Sequence, residues 1–194
     1  FNIDVTFDET VTGLASSDFV LSNGTLGNLT GSGQAYTLLV WPNGGGTMTV
    51  NLPQNAAQDA VGLGNLPASF AIFIDNVSPV ANLTSTSTSP VSMWSPVQVS
   101  VSFNKDVTGL DLGDFVGQNA TLSGLSGSGA SYTLNLLAIG HGTMTAGLLP
   151  GVAFDIANNG NLPATFTIFA DGASPTAALT STATSPLPDL SPFN

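Results

Sequence analysis

The chain contains no cysteine, so disulfides, thiolate nucleophiles and cysteine-ligated zinc are excluded. Positive charge is almost missing too. Lys105 is the sole Lys or Arg against 12 acidic residues, and the formal net charge is −11. One cation cannot build the basic patch that a phosphate backbone demands, which excludes nucleic acid as a partner. Anionic membrane surfaces are poor partners on the same ground. No apolar run approaches the ~20 residues of a spanning helix, so no membrane insertion is expected. His141 is the single histidine; it lies in a Gly-rich loop and Gly45 stands at the matching place 96 residues earlier, so it reads as a solvated loop residue and no Ser-His-Asp set is credible with it. The opening "FNIDVTF" has no basic segment followed by an apolar stretch, so a leader was removed or the chain is an internal piece.

Apolar residues make up 42% of 194, enough for a packed core. Charged residues make up only 7%, against roughly 25% in an average soluble domain, so Ser, Thr, Asn and Gly must solvate the surface. The apolar positions follow a period of two. Phe1, Ile3, Val5 and Phe7 alternate with Asn2, Asp4 and Thr6, and Val97, Val99, Val101 and Phe103 do the same. Tyr36, Leu38 and Val40, then Met48, Val50 and Leu52, then Phe70, Ile72 and Ile74, continue the pattern. Turn residues such as Asn23-Gly24, Gly31-Ser32-Gly33 and Asn43-Gly44-Gly45-Gly46 punctuate these runs. Short half-buried strands between turns predict an all-β fold built as antiparallel sandwiches.

The pattern occurs twice. Tyr36 and Tyr132 lie 96 residues apart, as do Phe7 and Phe103, Asp18 and Asp114, and Asp75 and Asp171. "GTMT" at 46–49 returns at 142–145, and "NLP" at 65–67 returns at 161–163. The register slips by one residue around Pro53 and Pro150, as a loop adjustment would. A period of this length fits a whole small domain rather than a solenoid unit.

The strings "VTFDETVTGLASSDFVLSNGTLGNLTGSGQAYTLLV" and "VSFNKDVTGLDLGDFVGQNATLSGLSGSGASYTLNLL" resemble the bacterial immunoglobulin-like (Ig-like) repeats of large surface proteins and adhesins. Glu9-Thr10 and Lys105-Asp106 stand where that family usually has Glu-Pro before Val-Thr-Gly. The resemblance implies two tandem Ig-like sandwiches and places an opening strand just after each Ser-Pro junction, at about 80–86 in the second copy. Repeat 1 then covers 1–77 without its opening strand, and repeat 2 covers 78–173 complete. The segment 174–194 holds an orphan opening strand, at about 176–185. Thr176, Ala178, Leu179, Thr180 and Thr182 are its expected self-assembly residues.

Candidate chemistry is sparse. Paired acids such as Asp8-Glu9 differ between the copies and read as turn residues, and Lys105 reads as a surface charge. Recurrent loop oxygens are the exception. Asp59 with Asn65, Asp155 with Asn161, and Asp75 and Asp171 at the exit strands, supply the carboxylate and amide oxygens that calcium takes. Asx-turns are the competing reading. No cofactor is required. Phe73 and Phe169 point away from the Phe70, Ile72 and Ile74 face and are candidate interface residues. Together these readings describe a non-catalytic, extracellular cell-surface protein. It forms or extends a fibre, sheath or surface layer by head-to-tail strand addition between copies or between neighbouring repeats. The alternatives are a stalk segment of a long adhesin and a carbohydrate- or partner-binding module. The last is disfavoured because Trp41 and Trp94 do not recur 96 residues on.

Overall fold

The structure is a computed structural model that describes residues 1–182. Twelve strands are present among them, and the helical content is two single turns of 3₁₀ type at Ser16–Asp18 and Leu112–Asp114. The first five strands are β1 (Asn2–Val11), β2 (Val20–Ser22), β3 (Gly24–Pro42), β4 (Gly46–Leu52) and β5 (Ala68–Ile74). They form two sheets, β1-β3 and β2-β4-β5. The remaining strands are β6 (Ala81–Thr84), β7 (Val91–Ser92), β8 (Val97–Val107), β9 (Phe115–Gln118), β10 (Ala120–Ala138), β11 (Gly142–Leu148) and β12 (Ala164–Asp171). They also form two sheets, β6-β8-β10 and β7-β12-β11-β9.

Side-chain alternation dictates how each pair of sheets closes. Leu38 and Val40 on β3 meet Met48, Val50 and Leu52 on β4, giving the core of a first sandwich. Val97, Val99 and Val101 on β8 and Leu134 and Leu136 on β10 meet Met144, Ala146 and Leu148 on β11, giving the core of a second. Intervening residues such as Asp4, Thr6, Gln98 and Ser100 face outward, as a period of two requires. The two cores share their detail. Val5 pairs with Tyr36, and Val101 with Tyr132. Each tyrosine ring stands edge-on to a phenylalanine, with centroids 6.0 Å apart for Phe7–Tyr36 and 6.2 Å for Phe103–Tyr132. Each hydroxyl donates to a backbone carbonyl, Val11 at 3.2 Å and Val107 at 3.3 Å. A buried aromatic body with its polar tip satisfied is what makes this position hold.

Strands β3 and β10 are longer than the sequence pattern suggests, because the GSG stretches are crossed within one strand. Gly31 and Gly127 sit at φ +106° and +124°, and a Cβ at either would strike the carbonyl of Ala35 or Ser131. Only glycine fits that bend, and the ladder shifts register beside it. The recurrent Asp18 and Asp114 cap the 3₁₀ turns, accepting the amides of Ala15 at 2.8 Å and Asp111 at 2.6 Å.

Candidate functional site: an open strand edge and an ion-paired junction

The sandwiches differ at one edge. In the second, β6 pairs antiparallel with β8, setting Ala81 against Phe103 and Leu83 against Val101. Pro79, Ala81 and Leu83 are buried there, while Asn82 and Thr84 face out. Strand β7 then pairs with the end of β12. In the first sandwich neither β1 nor β5 has a corresponding partner among the described residues. The consequence is an uncovered core. Val99, Val101 and Phe103 are buried, but their counterparts Ile3, Val5 and Phe7 are only half-buried. Ile168 is 6% exposed and its counterpart Ile72 is 37% exposed. Two clefts open along the gap, of about 530 Å³ and about 240 Å³, and share Val5, Thr6, Leu52 and Ala68. Their floor is apolar, with Ile3, Phe7, Phe19, Val50 and Phe70. An exposed strand edge above an apolar groove is a template for strand addition.

The second feature lies where one sandwich leads into the next. Asp75, at the end of β5, and Asp155, in the loop before β12, both reach Lys105 on β8. The ammonium donates to Asp155 Oδ2 at 2.9 Å, to Asp75 Oδ2 at 3.0 Å and to the Val77 carbonyl at 2.7 Å. Asn159 Nδ2 adds a bond to the Asp75 carbonyl at 3.2 Å. Asp155 has a side chain only 2% exposed, and its Oδ1 also accepts the amides of Ala157 and Asn159. The Lys105 bond, with help from the Asn159 bonds, holds the Asp155 carboxyl down to about 2. The Val77 amide and then Lys105 lower Asp75, and the two carboxylates raise Lys105. A lysine that reads as an ordinary surface charge in the sequence therefore fastens β5 of one sandwich to the loop of the other. Its signal was its uniqueness among 12 acids; its partners lie 30 and 50 residues away in sequence.

The loop residues fall into three groups. Asn65 and Asn161 are staples. Asn65 Oδ1 accepts the Ala57 amide, and its Nδ2 donates to the carbonyls of Pro53 and Leu66. Asn161 repeats this with Val152, Ala153, Leu149 and Leu162. Asp59 and Asp155 each close an Asx-type loop, Asp59 onto Val61 and Leu63. Asp75 and Asp155 are brought together, around an ammonium, whereas Asp171 lies beside His141 at 3.3 Å and accepts the Ala173 amide. No group of three or more His, Cys, Asp or Glu side chains placed to hold a metal ion is found among the described residues.

Phe73 is 70% exposed, and Phe169 is 38% exposed because His141 stands edge-on to it at 5.1 Å; Gly45 replaces that histidine beside Phe73. Residues 172–182 form no strand and are exposed, with Leu179 at 100%. The rest of the expected strand, 183–185, and the remainder of the segment 174–194, lie outside the described residues. The positions of that segment equivalent to the buried Pro79, Ala81 and Leu83 are Pro175, Ala177 and Leu179. Sequence reasoning named only Leu179 of these, and Ala178 corresponds to outward Asn82.

The bacterial Ig-like domain family matches residues 1–71. No curated protein matches the chain. Among the described residues no helix is long and apolar enough to cross a membrane.

Proposed function

We propose, from a first sandwich that matches the bacterial Ig-like domain family and keeps an open edge, that this chain is a structural module of an extracellular surface assembly. Its units join head to tail by strand addition. The observation that carries this reading is the contrast between the two sandwiches. Pro79, Ala81 and Leu83 fill the second groove, while the matching groove over Ile3, Val5 and Phe7 is open. The segment that would fill it is a homologue of residues 77–84, and the chain carries one at 173–180. Ala177 would then face Phe7 and Leu179 would face Val5, by the register of Ala81 with Phe103 and Leu83 with Val101. Backbone ladder bonds supply affinity in such a contact and alternate side chains supply specificity. Because donor and acceptor are different surfaces, the contact is heterologous, and it propagates a chain of subunits wherever the rotation between them does not close a ring.

The role is structural rather than catalytic, and the partner is the protein itself. A neighbouring repeat within one longer chain would use the same groove, since β5 passes into β6 within residues 75–80 here. Light scattering of the 194-residue chain and its Leu179→Asp variant tests the reading. The expected result is concentration-dependent growth for the parent and a single species for the variant. Equal growth of both would overturn strand addition. Absence of growth by the parent at every concentration would overturn association between copies.

A further inference from the structure

The groove that accepts a strand in the second sandwich carries a cation on its rim, and the open one does not. On the second, Ser100, Asn104, Lys105 and Asp155 occupy the rim, and the incoming strand adds Asp75. On the first, the equivalent positions are Asp4, Asp8, Glu9 and Asp59, four acids with no cation. Strands β3, β4 and β5, which pack beside them, carry no charged side chain. Two of the four are accommodated. Asp4 accepts the Thr37 hydroxyl at 3.2 Å. Asp8 stands where Asn104 Oδ1 accepts the Val80 amide at 2.8 Å, and a carboxylate accepts that amide equally well.

Glu9 is the mismatch. At its position Lys105 donates to two carboxylates and one carbonyl at once. A docked copy would present Asp171 and the Ala173 carbonyl there, against Glu9 and Asp59; His141 accompanies Asp171 at 3.3 Å but its Nδ1 accepts the Gly172 amide, so nothing takes the place of the Lys105 ammonium. Asp59 holds Val61 and Leu63 through Oδ1, and Glu9 has no partner among the described residues. Like charges placed together in an interface suppress the pairing.

We infer that head-to-tail docking of this chain is charge-gated at Glu9. The contact between copies is held weak at neutral pH, where the equivalent contact within the chain is locked by Lys105. This rests on the strand-addition reading above. Protons relieve the repulsion, so docking raises the carboxyl affinity for protons and strengthens as pH falls. A lysine at position 9 would do the same at neutral pH.

Sedimentation velocity of the full chain at pH 7.5 and 4.5 tests this, with Glu9→Lys and Leu179→Asn alongside and circular dichroism to establish that each variant is folded. The chain's pI is about 4.1, so acid also removes global repulsion. Glu9→Lys at pH 7.5 is therefore the diagnostic sample, and the uncharged Leu179→Asn variant measures growth that does not use the strand. The expected result is association of Glu9→Lys at concentrations at least about tenfold below the parent at pH 7.5. The parent should gain at pH 4.5, and Leu179→Asn should associate at neither pH. Should Glu9→Lys unfold, Glu9→Gln is measured in its place, with a smaller gain expected. Parent and position-9 variants associating alike at both pH values, with Leu179→Asn inert, would overturn the gate and leave strand addition standing. Leu179→Asn behaving as the parent, or every sample remaining monomeric, would overturn both.

Discussion

Lys105 shows how one side chain can decide the mechanics of a joint. It touches the end of β5 on one side and the loop before β12 on the other, so its removal strands Asp155, whose side chain is almost fully covered. A covered carboxylate without its counter-charge is destabilising, since its desolvation is no longer offset. Lys105→Ala is thus expected to lower the melting temperature at pH 7, seen by calorimetry. The pH dependence has a fixed sign. Asp155 is depressed from 3.8 to about 2 in the fold, so its contribution is complete above 3.8 and disappears as pH falls toward about 2. The parent should lose melting temperature across that window, and Lys105→Ala should lose less there, because the bond that depresses Asp155 is already gone. Equal slopes would show that Lys105 does not govern the titration.

At the scale of the strand, Leu83 and Leu179 are the same residue of the repeat in two environments. Leu83 is buried on β6, and Leu179 is fully exposed. Leu83→Ala should cost about 2–4 kcal/mol in urea unfolding, and Leu179→Ala should change the isolated monomer by no more than about 0.5 kcal/mol. A large loss from Leu179→Ala in dilute, monomeric samples would mean that the segment already packs somewhere. These elements also mark what the sequence could disclose. The alternation of Val97, Val99, Val101 and Phe103 is local, and it announced β8 without any knowledge of partners. The resemblance to Ig-like repeats placed a strand at about 80–86, seen as Ala81–Thr84, and an orphan copy of it at about 176–185. The continuity of β3 through Gly31 was hidden, since a glycine run reads as a turn until the close approach of Ala35 is seen. Lys105 was hidden for a different reason: its three acceptors converge only after two sandwiches have folded. Asn65 and Asn161 carry oxygens of the kind that suit a metal, and in the structure those oxygens accept the backbone amides of Ala57 and Ala153, contacts that no sequence pattern announces.

For the molecule as a whole, the described residues make this joint once, and the matching groove of the first sandwich is unfilled among them. Where the joint is made, the strand, the apolar groove and the lysine act together. At the first sandwich the groove and the strand edge are present, but the lysine is replaced by Glu9. On the proposed reading, links locked by a lysine would alternate with links that respond to acidity. The absence of cysteine allows a direct test of the central claim, that the 173–180 segment of one copy adds to β1 of another. Asn82 lies opposite Ser102 in the second sandwich, so Ala178 of one chain should lie opposite Thr6 of the next. Directly opposed residues of antiparallel strands are within disulfide range. Single-cysteine chains bearing Thr6→Cys and Ala178→Cys, mixed at pH 4.5 and then oxidised, should yield a mixed disulfide between the two. Ser102→Cys with Ala178→Cys should not, because β6 already occupies that edge. A mixed disulfide at Thr6 alone establishes the strand exchange; equal cross-linking at both positions, or none at either, contradicts it.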